Sequence, residues 1–259
     1  MKIAVCVKQV PDSETRITLQ APSPTLDDSG FTRVLNPYDQ YAVEEAVQIK
    51  ERTDGCEVTA ITIGPDRVKE SIKKDCLAVG CDKAIFVNDP ALEKIDELGI
   101  AKVLAAVLKR DPYDLILFGI KAIDDDSGQV GIMVAELLGL PHIGVITQLD
   151  LQTGELTAQR EIEGGKELVG AKLPALLTCQ KGLNEPRLPS LPNIMKAGSK
   201  PMEILTCADL GIEPPARSYE IKLYSPPPPR AECKLVEGDD AAAAAKEMAR
   251  LLREEAKVI

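Results

Sequence analysis

The chain has 259 residues, 44% of them hydrophobic and 28% charged, the composition of a folded globular protein and not of a disordered one. A net charge of −10, from 31 basic and 41 acidic residues, argues against a nucleic-acid binder, and 3% aromatics with no Trp argue against a base-stacking platform. The single histidine, His142, excludes a His-pair metal site, and no apolar run approaches the roughly 20 residues that span a bilayer.

Met1-Lys2 leads almost directly into an apolar run, so a secreted or membrane-inserted protein is not expected. The seven scattered cysteines, an odd number, read as reduced thiols of a cytoplasmic protein. Residues 2–8, KIAVCVK, predict a buried strand, and a polar loop follows from Pro11 to Gly30. Asn36-Pro37 announces a helix, with Asn36 as its cap and Pro37 preorganised for the first turn. Ala42, Val43, Ala46, Val47 and Ile49 give that helix its apolar face. Residues 56–63 predict a second strand, and the next helix carries Val68, Ile72, Cys76 and Val79 on one face and stops at Gly80. A strand at 84–88 precedes a helix over 97–110 with Leu98, Ala101, Leu104, Ala105 and Leu108 at helical spacing. A fourth strand at 114–119 ends in glycine, a helix spans about 127–139, and a fifth apolar run covers 143–147. Five such strands separated by helices predict a doubly wound, mostly parallel α/β sheet of Rossmann-like kind. Its ligand crevice should lie beyond the strand carboxyl ends, where strand order reverses.

After residue 148 the pattern changes. Turns at Thr153-Gly154 and Glu163-Gly164-Gly165 predict an antiparallel excursion, and Pro174 opens the apolar run ALLTC. Residues 182–201 hold four prolines and read as an exposed, shaped loop. Pro226–Pro229 make a stiff spacer, and 239–256 predict a helix whose thin apolar stripe suits a terminal arm docked elsewhere. The expected division is therefore an α/β domain over 1–225, carrying a loop at 183–200, and an arm over 226–259.

The segment GIKAIDDDSGQVG, residues 119–131, lies between the fourth strand and the next helix. A glycine-containing loop entering a helix offers free amides and the positive end of the helix dipole to a phosphate. Ser127, Gly128, Gln129, Val130 and Gly131 are placed to supply those amides. Three adjacent aspartates repel a phosphate; they suit helix capping or ribose hydroxyls, with at least one turned to solvent, and alone the segment reads equally as an acidic helix start. Neither the Walker pattern nor GxGxxG occurs, and no metal set is evident. His142 reads as a structural residue, and Cys6 as a packing residue that can touch a ligand.

Together with KIAVCVKQVPD, VLNPYDQYAVEEA and LNEPRLPSLPNIMKA, that segment makes the chain resemble the β subunit of electron transfer flavoproteins. Arg160, Glu163, Gly164, Gly165, Glu167, Val169, Pro174, Leu176, Leu177 and Thr178 are similar to the family's signature, and the matches are collinear. The resemblance implies a heterodimer with a larger α subunit that holds most of the redox FAD, while this subunit carries AMP in its own crevice. The implied nucleotide residues are Cys6, Asn36, Pro37, Tyr38, Asp39, Ile63, Ala122, Asp125, Asp126, Ser127, Gly128, Gln129, Val130 and Gly131. No catalytic residue and no metal are implied. In electron-bifurcating relatives a second FAD replaces AMP and oxidises NADH; Asp125, where those relatives are expected to have glycine, favours AMP. The Pro-rich loop, with Leu191, Pro192, Ile194 and Met195, is implied to dock acyl-CoA dehydrogenase-type flavoenzymes in fatty acid oxidation, with electrons passing on to a quinone oxidoreductase. Gly198 and Ser199 stand where some relatives have lysines. A stand-alone adenine-nucleotide enzyme or sensor on the same fold is the reading from a different class.

Overall fold

The computed structural model describes residues 1–259 except 18, 20, 21, 24–26, 94, 221, 227 and 230–232, so Pro227 of the proline spacer lies outside the described residues. It divides into one unit of residues 1–17 and 27–222 and a second of 18–26 and 223–259.

The first unit is built on a nine-stranded sheet. Its strands are β1 (Lys2–Cys6), β4 (Glu57–Ile63), β5 (Lys83–Val87), β6 (Leu115–Gly119), β7 (His142–Gln152), β8 (Glu155–Ile162), β9 (Gly165–Lys172), β10 (Ala175–Cys179) and β11 (Met202–Leu205). They run in the order β11-β5-β4-β1-β6-β10-β7-β8-β9, parallel from β11 to β7 and antiparallel at β8 and β9. This is the doubly wound α/β sheet that the sequence predicts, with its antiparallel excursion. Two additions were not legible: β10 inserts between β6 and β7, and β11 adds an edge. The expected polar loop after Pro11 is instead flanked by a small hairpin of β2 (Gln9–Pro11) and β3 (Arg33–Leu35).

Both faces of the sheet are covered, and β1 shows how. Ile3 and Val5 point into one core, beneath α1 (Pro37–Arg52) and α2 (Val68–Ile72, continued by a π-type turn over Lys73–Leu77). Ala4 and Cys6 point into the other, beneath α3 (Glu97–Leu108) and α4 (Val130–Leu138). On α1 the predicted stripe Ala42, Val43, Ala46, Val47 and Ile49 is buried, but Glu44 and Glu45 are buried too. Leu98, expected on the apolar face of α3, is exposed.

The helix expected from about 127 begins at Val130, because residues 124–127 are held in a turn with Asp126 at φ 58. The loop at 183–200 is not irregular throughout: Leu191–Ala197 form α5, capped by Ser190 with Pro192 in its first turn. In the second unit Ser23 and Tyr224 form an antiparallel bridge, and α6 (Ala241–Leu251), capped by Asp240, buries no residue. No helix among the described residues is long and apolar enough to cross a membrane.

Candidate functional site

Strand connections leave β1 toward β4 on one side and leave β6 toward β7 on the other, so the order reverses between β1 and β6. At the carboxyl ends of these strands lies a cavity of about 430 Å³, within the usual range of roughly 300–1,000 Å³ for small-molecule sites. Cys6, Val7 and Lys8 leave β1 into it, Ile63 ends β4, and Gly119 ends β6. The helix side is apolar, with Leu92, Ile95, Ile100, Leu104 and Val130.

Asp39 organises the floor. Its buried carboxylate accepts from the Lys8 amide at 2.7 Å, the Asn36 amide side chain at 2.9 Å and the Gly119 amide at 3.2 Å. Burial pushes the carboxyl up to about 7, against the lowering pull of those three donors. Gly119 is required here: a Cβ would sit 2.7 Å from the Tyr38 carbonyl carbon and 2.8 Å from the Asp39 nitrogen. Asn36 does not cap α1 with its side chain. It donates instead to the Lys121 carbonyl at 2.9 Å and accepts from the Ile123 amide at 3.2 Å, holding the acidic loop to the helix start.

The three aspartates do not cap α4, whose first turn has no side-chain cap. Two lysines face them. Lys8 Nζ reaches Asp124 at 2.8 Å and Asp125 at 2.9 Å, and Lys121 Nζ reaches Asp126 at 2.6 Å. Burial alone would lower the Lys8 ammonium, but its hydrogen bonds to Asp124 and Asp125 hold it above its ordinary value. Asp125 also accepts from the Ser127 amide at 2.9 Å, closing the turn. Ser127 Oγ is buried and has no partner among the described residues, a polar atom that a ligand hydroxyl or phosphate oxygen would satisfy. A Cβ at Gly128 would lie 3.0 Å from the Ile120 carbonyl, a tight contact that glycine avoids while keeping this stretch of backbone open.

Of the residues named from sequence, Cys6, Asn36, Asp39, Ile63, Ala122, Asp125, Ser127, Gly128, Val130 and Gly131 line the cavity. Pro37 opens α1 and Tyr38 abuts the end of β6 through its backbone, while Asp126 and Gln129 lie outside the lining. The Cys6 thiol is raised well above its ordinary value by burial, with Asp39 adding to the effect, so it stays protonated as a wall atom. His142 is exposed at the start of β7 and takes no part in the cavity. Sequence reading missed Lys8, Lys121, Asp96, Arg217 and Tyr219, all of which line it. A lysine directly after the first strand was the available signal for Lys8. Arg217 and Tyr219, stacked at 4.4 Å, come from a segment without periodicity. No group of three or more His, Cys, Asp or Glu among the described residues is placed to hold a metal ion.

Such a sheet, with a crevice at its reversal point and an open-backbone loop entering a helix, defines the doubly wound α/β class whose ligands lie beyond the strand ends. Within that class the match is specific. The model of the electron transfer flavoprotein domain matches residues 25–210. The chain is 42% identical over 265 residues to the electron transfer flavoprotein subunit beta of Bacillus subtilis (strain 168), covering 100% of each. It is 37% identical over 253 residues to that of Homo sapiens, covering 97% of this chain and 99% of the human one. It is 38% identical over 237 residues to that of Syntrophomonas wolfei subsp. wolfei, covering 88% and 91%. The chain belongs to the electron transfer flavoprotein β-subunit family, a family of flavoproteins in electron transport. Each of these relatives is named a β subunit, which implies an α-subunit partner for it.

Proposed function

We propose that this chain is the β subunit of a heterodimeric electron carrier of the cytoplasm, that it binds AMP in the β1–β6 crevice, and that it docks acyl-CoA dehydrogenase-type flavoenzymes through α5. The observation that carries the nucleotide reading is the unpartnered, buried Ser127 Oγ beside the open backbone at Gly128, at the entry to α4. A phosphate there meets backbone amides and a hydroxyl. Two lysines, Lys8 shared by Asp124 and Asp125 and Lys121 on Asp126, offset two of the three carboxylate charges and so reduce their repulsion.

The choice of AMP over a second flavin dinucleotide rests on volume and charge. A cavity of about 430 Å³ falls in the lower part of the range of roughly 300–1,000 Å³, the part that the smaller nucleotide needs. Asp125 lines it with a carboxylate that shares Lys8 with Asp124, and the charge left over disfavours the second phosphate of a dinucleotide.

The FAD of the heterodimer, when bound, supplies the electron chemistry, and electrons pass on to a quinone oxidoreductase. No residue of this chain performs acid–base chemistry; its residues bind, shield and dock. Docking falls to Leu191, Pro192, Ile194 and Met195 on α5, with Leu191 78% and Met195 83% exposed. Burying one leucine in a partner pocket is worth about 1.5–3 kcal/mol. Leu191→Ala should slow electron transfer from an acyl-CoA dehydrogenase about tenfold or more. Nucleotide content and flavin spectrum should be unchanged. Undiminished transfer, or loss of flavin and nucleotide together, would make α5 a structural element and not a docking one.

A further inference from the structure

The exposed helix α5 has an anchoring problem. It is seven residues long and buries only Ala197. A helix of that length does not hold itself in water. Leu188, Leu191 and Met195 are 91%, 78% and 83% exposed, so apolar packing supplies little to fix their direction. Beneath the entry to α5 a hollow of about 270 Å³ separates Leu188, Pro189 and Asn193 from Val47, Val79 and Gly80.

Ala197 packs the carboxyl end of α5 into the core beside Leu77 and Ala78, and what ties down the amino end is polar. Arg187 Nε donates to Glu44 Oε2 at 2.9 Å and Nη2 to Glu44 Oε1 at 2.9 Å. Nη1 reaches Glu51 Oε1 at 2.5 Å and Nη2 reaches Glu51 Oε2 at 2.9 Å. The Arg187 amide adds a bond to Glu44 Oε2 at 3.2 Å. Three residues earlier, Asn184 Nδ2 donates to the Tyr41 carbonyl at 3.0 Å and to Glu45 Oε2 at 3.1 Å. These partners explain why α1 buries two glutamates. Glu44 is 2% exposed, and hydrogen bonds from Arg187 and Gln48 hold its carboxyl below the usual range although burial pushes it up. Behind the helix, Lys200 Nζ caps the carbonyls of Leu77 at 2.8 Å and Cys81 at 2.6 Å.

We propose that Arg187 is a positioning residue for partner docking: its fork on Glu44 and Glu51 fixes to α1 the segment that leads into α5, so that Leu191 and Met195 are presented to the partner already ordered. A planar guanidinium can hold two carboxylates in fixed directions, which an ammonium cannot. An anchor ordered before encounter loses less entropy on binding than one that folds on contact. The proposal rests on the docking reading above and adds the residue that sets its geometry.

The test uses the assembled, FAD-loaded heterodimer with an acyl-CoA dehydrogenase and its acyl-CoA substrate. Arg187→Ala should raise the amide exchange rate over residues 190–197 about tenfold in the free heterodimer. It should raise the KM of the dehydrogenase for the heterodimer at least about fivefold, with kcat and the flavin spectrum unchanged. Arg187→Lys should fall between the wild type and Arg187→Ala on both readouts. Should Arg187→Ala fail to fold with Glu44 left unpaired, Glu51→Gln opens the exposed half of the fork without stranding a buried charge and should move both readouts in the same direction. Leu191→Ala is the control: it should raise KM without changing exchange. Unchanged exchange and KM in Arg187→Ala or Glu51→Gln, with KM raised in Leu191→Ala, would overturn the positioning role and leave docking standing. If Leu191→Ala also leaves KM unchanged, the docking reading fails and the proposal with it.

Discussion

The buried carboxylate of Asp39 joins the exit of β1, the first turn of α1 and the end of β6 through the amides of Lys8 and Gly119 and the side chain of Asn36. That geometry has a pH signature. Unfolded, the carboxyl titrates near 3.8; folded, burial raises it to about 7. Between those values the folded chain keeps a proton that the unfolded chain has lost, so this group's contribution to stability falls as pH rises and levels off above about 7. The whole window is worth on the order of 4 kcal/mol. Urea unfolding at fixed heterodimer concentration should show that loss between pH 4 and pH 7 in the wild type, and Asp39→Asn should flatten it. Parallel profiles would remove Asp39 as the titrating group. Gly128 acts differently, because the Cβ of a replacement meets only the Ile120 carbonyl and the Lys121 side chain. Gly128→Val should empty the nucleotide site, read by AMP assay of the purified heterodimer, while the α/β core stays folded. Full AMP occupancy would remove the loop from the site. The residue types at these positions were legible in the sequence, but their work was not. Asn36 reads as a cap and turns out to tether the loop across to residues 121–123, because a side chain's long-range partner leaves no mark in the local pattern.

Among the elements, α4 carries the sharpest dependence on one position. At Gly131 a Cβ would lie 3.2 Å from Phe118 Cγ on β6 and 3.2 Å from Thr178 Cγ2 on β10. The glycine therefore serves close helix–sheet packing more than approach to a ligand. Gly131→Val should push α4 off the sheet and cost about 1–3 kcal/mol of stability, the usual cost of overpacking. A thermal melt of the nucleotide-free protein beside that of Gly128→Val separates the two glycines: Gly131→Val should lower Tm the more. Equal melts would contradict the division. The parallel strands and their helices were legible because β1, β4, β5 and β6 are continuous apolar runs and the helices repeat at 3–4 residues. Insertion of β10 between β6 and β7 was not, since ALLTC follows the antiparallel excursion and an apolar run does not name its neighbours. Burial of Glu44 and Glu45 was hidden for the same reason: Arg187 and Asn184 reach them from 143 and 139 residues away.

For the whole molecule, the arm carries its own prediction. In the second unit α6 buries no residue, and its exposed helix is held by pairs such as Arg250 to Glu247 at 2.6 Å and Lys234 to Glu255 at 2.8 Å. Surface pairs of this kind contribute little stability on their own. Such a helix fits a segment completed by the α subunit. Deleting residues 231–259 should lower the yield of heterodimer in co-expression while the α/β core keeps its far-UV spectrum; undiminished assembly would contradict that role.

In the proposed function this chain holds a mononucleotide in the β1–β6 crevice and leaves the redox flavin to its partner. Heat-denaturing the purified heterodimer and quantifying the released nucleotides by chromatography tests it directly. One AMP and one FAD per heterodimer are expected; two FAD and no AMP would make the chain half of a bifurcating NADH oxidoreductase and contradict the mononucleotide reading.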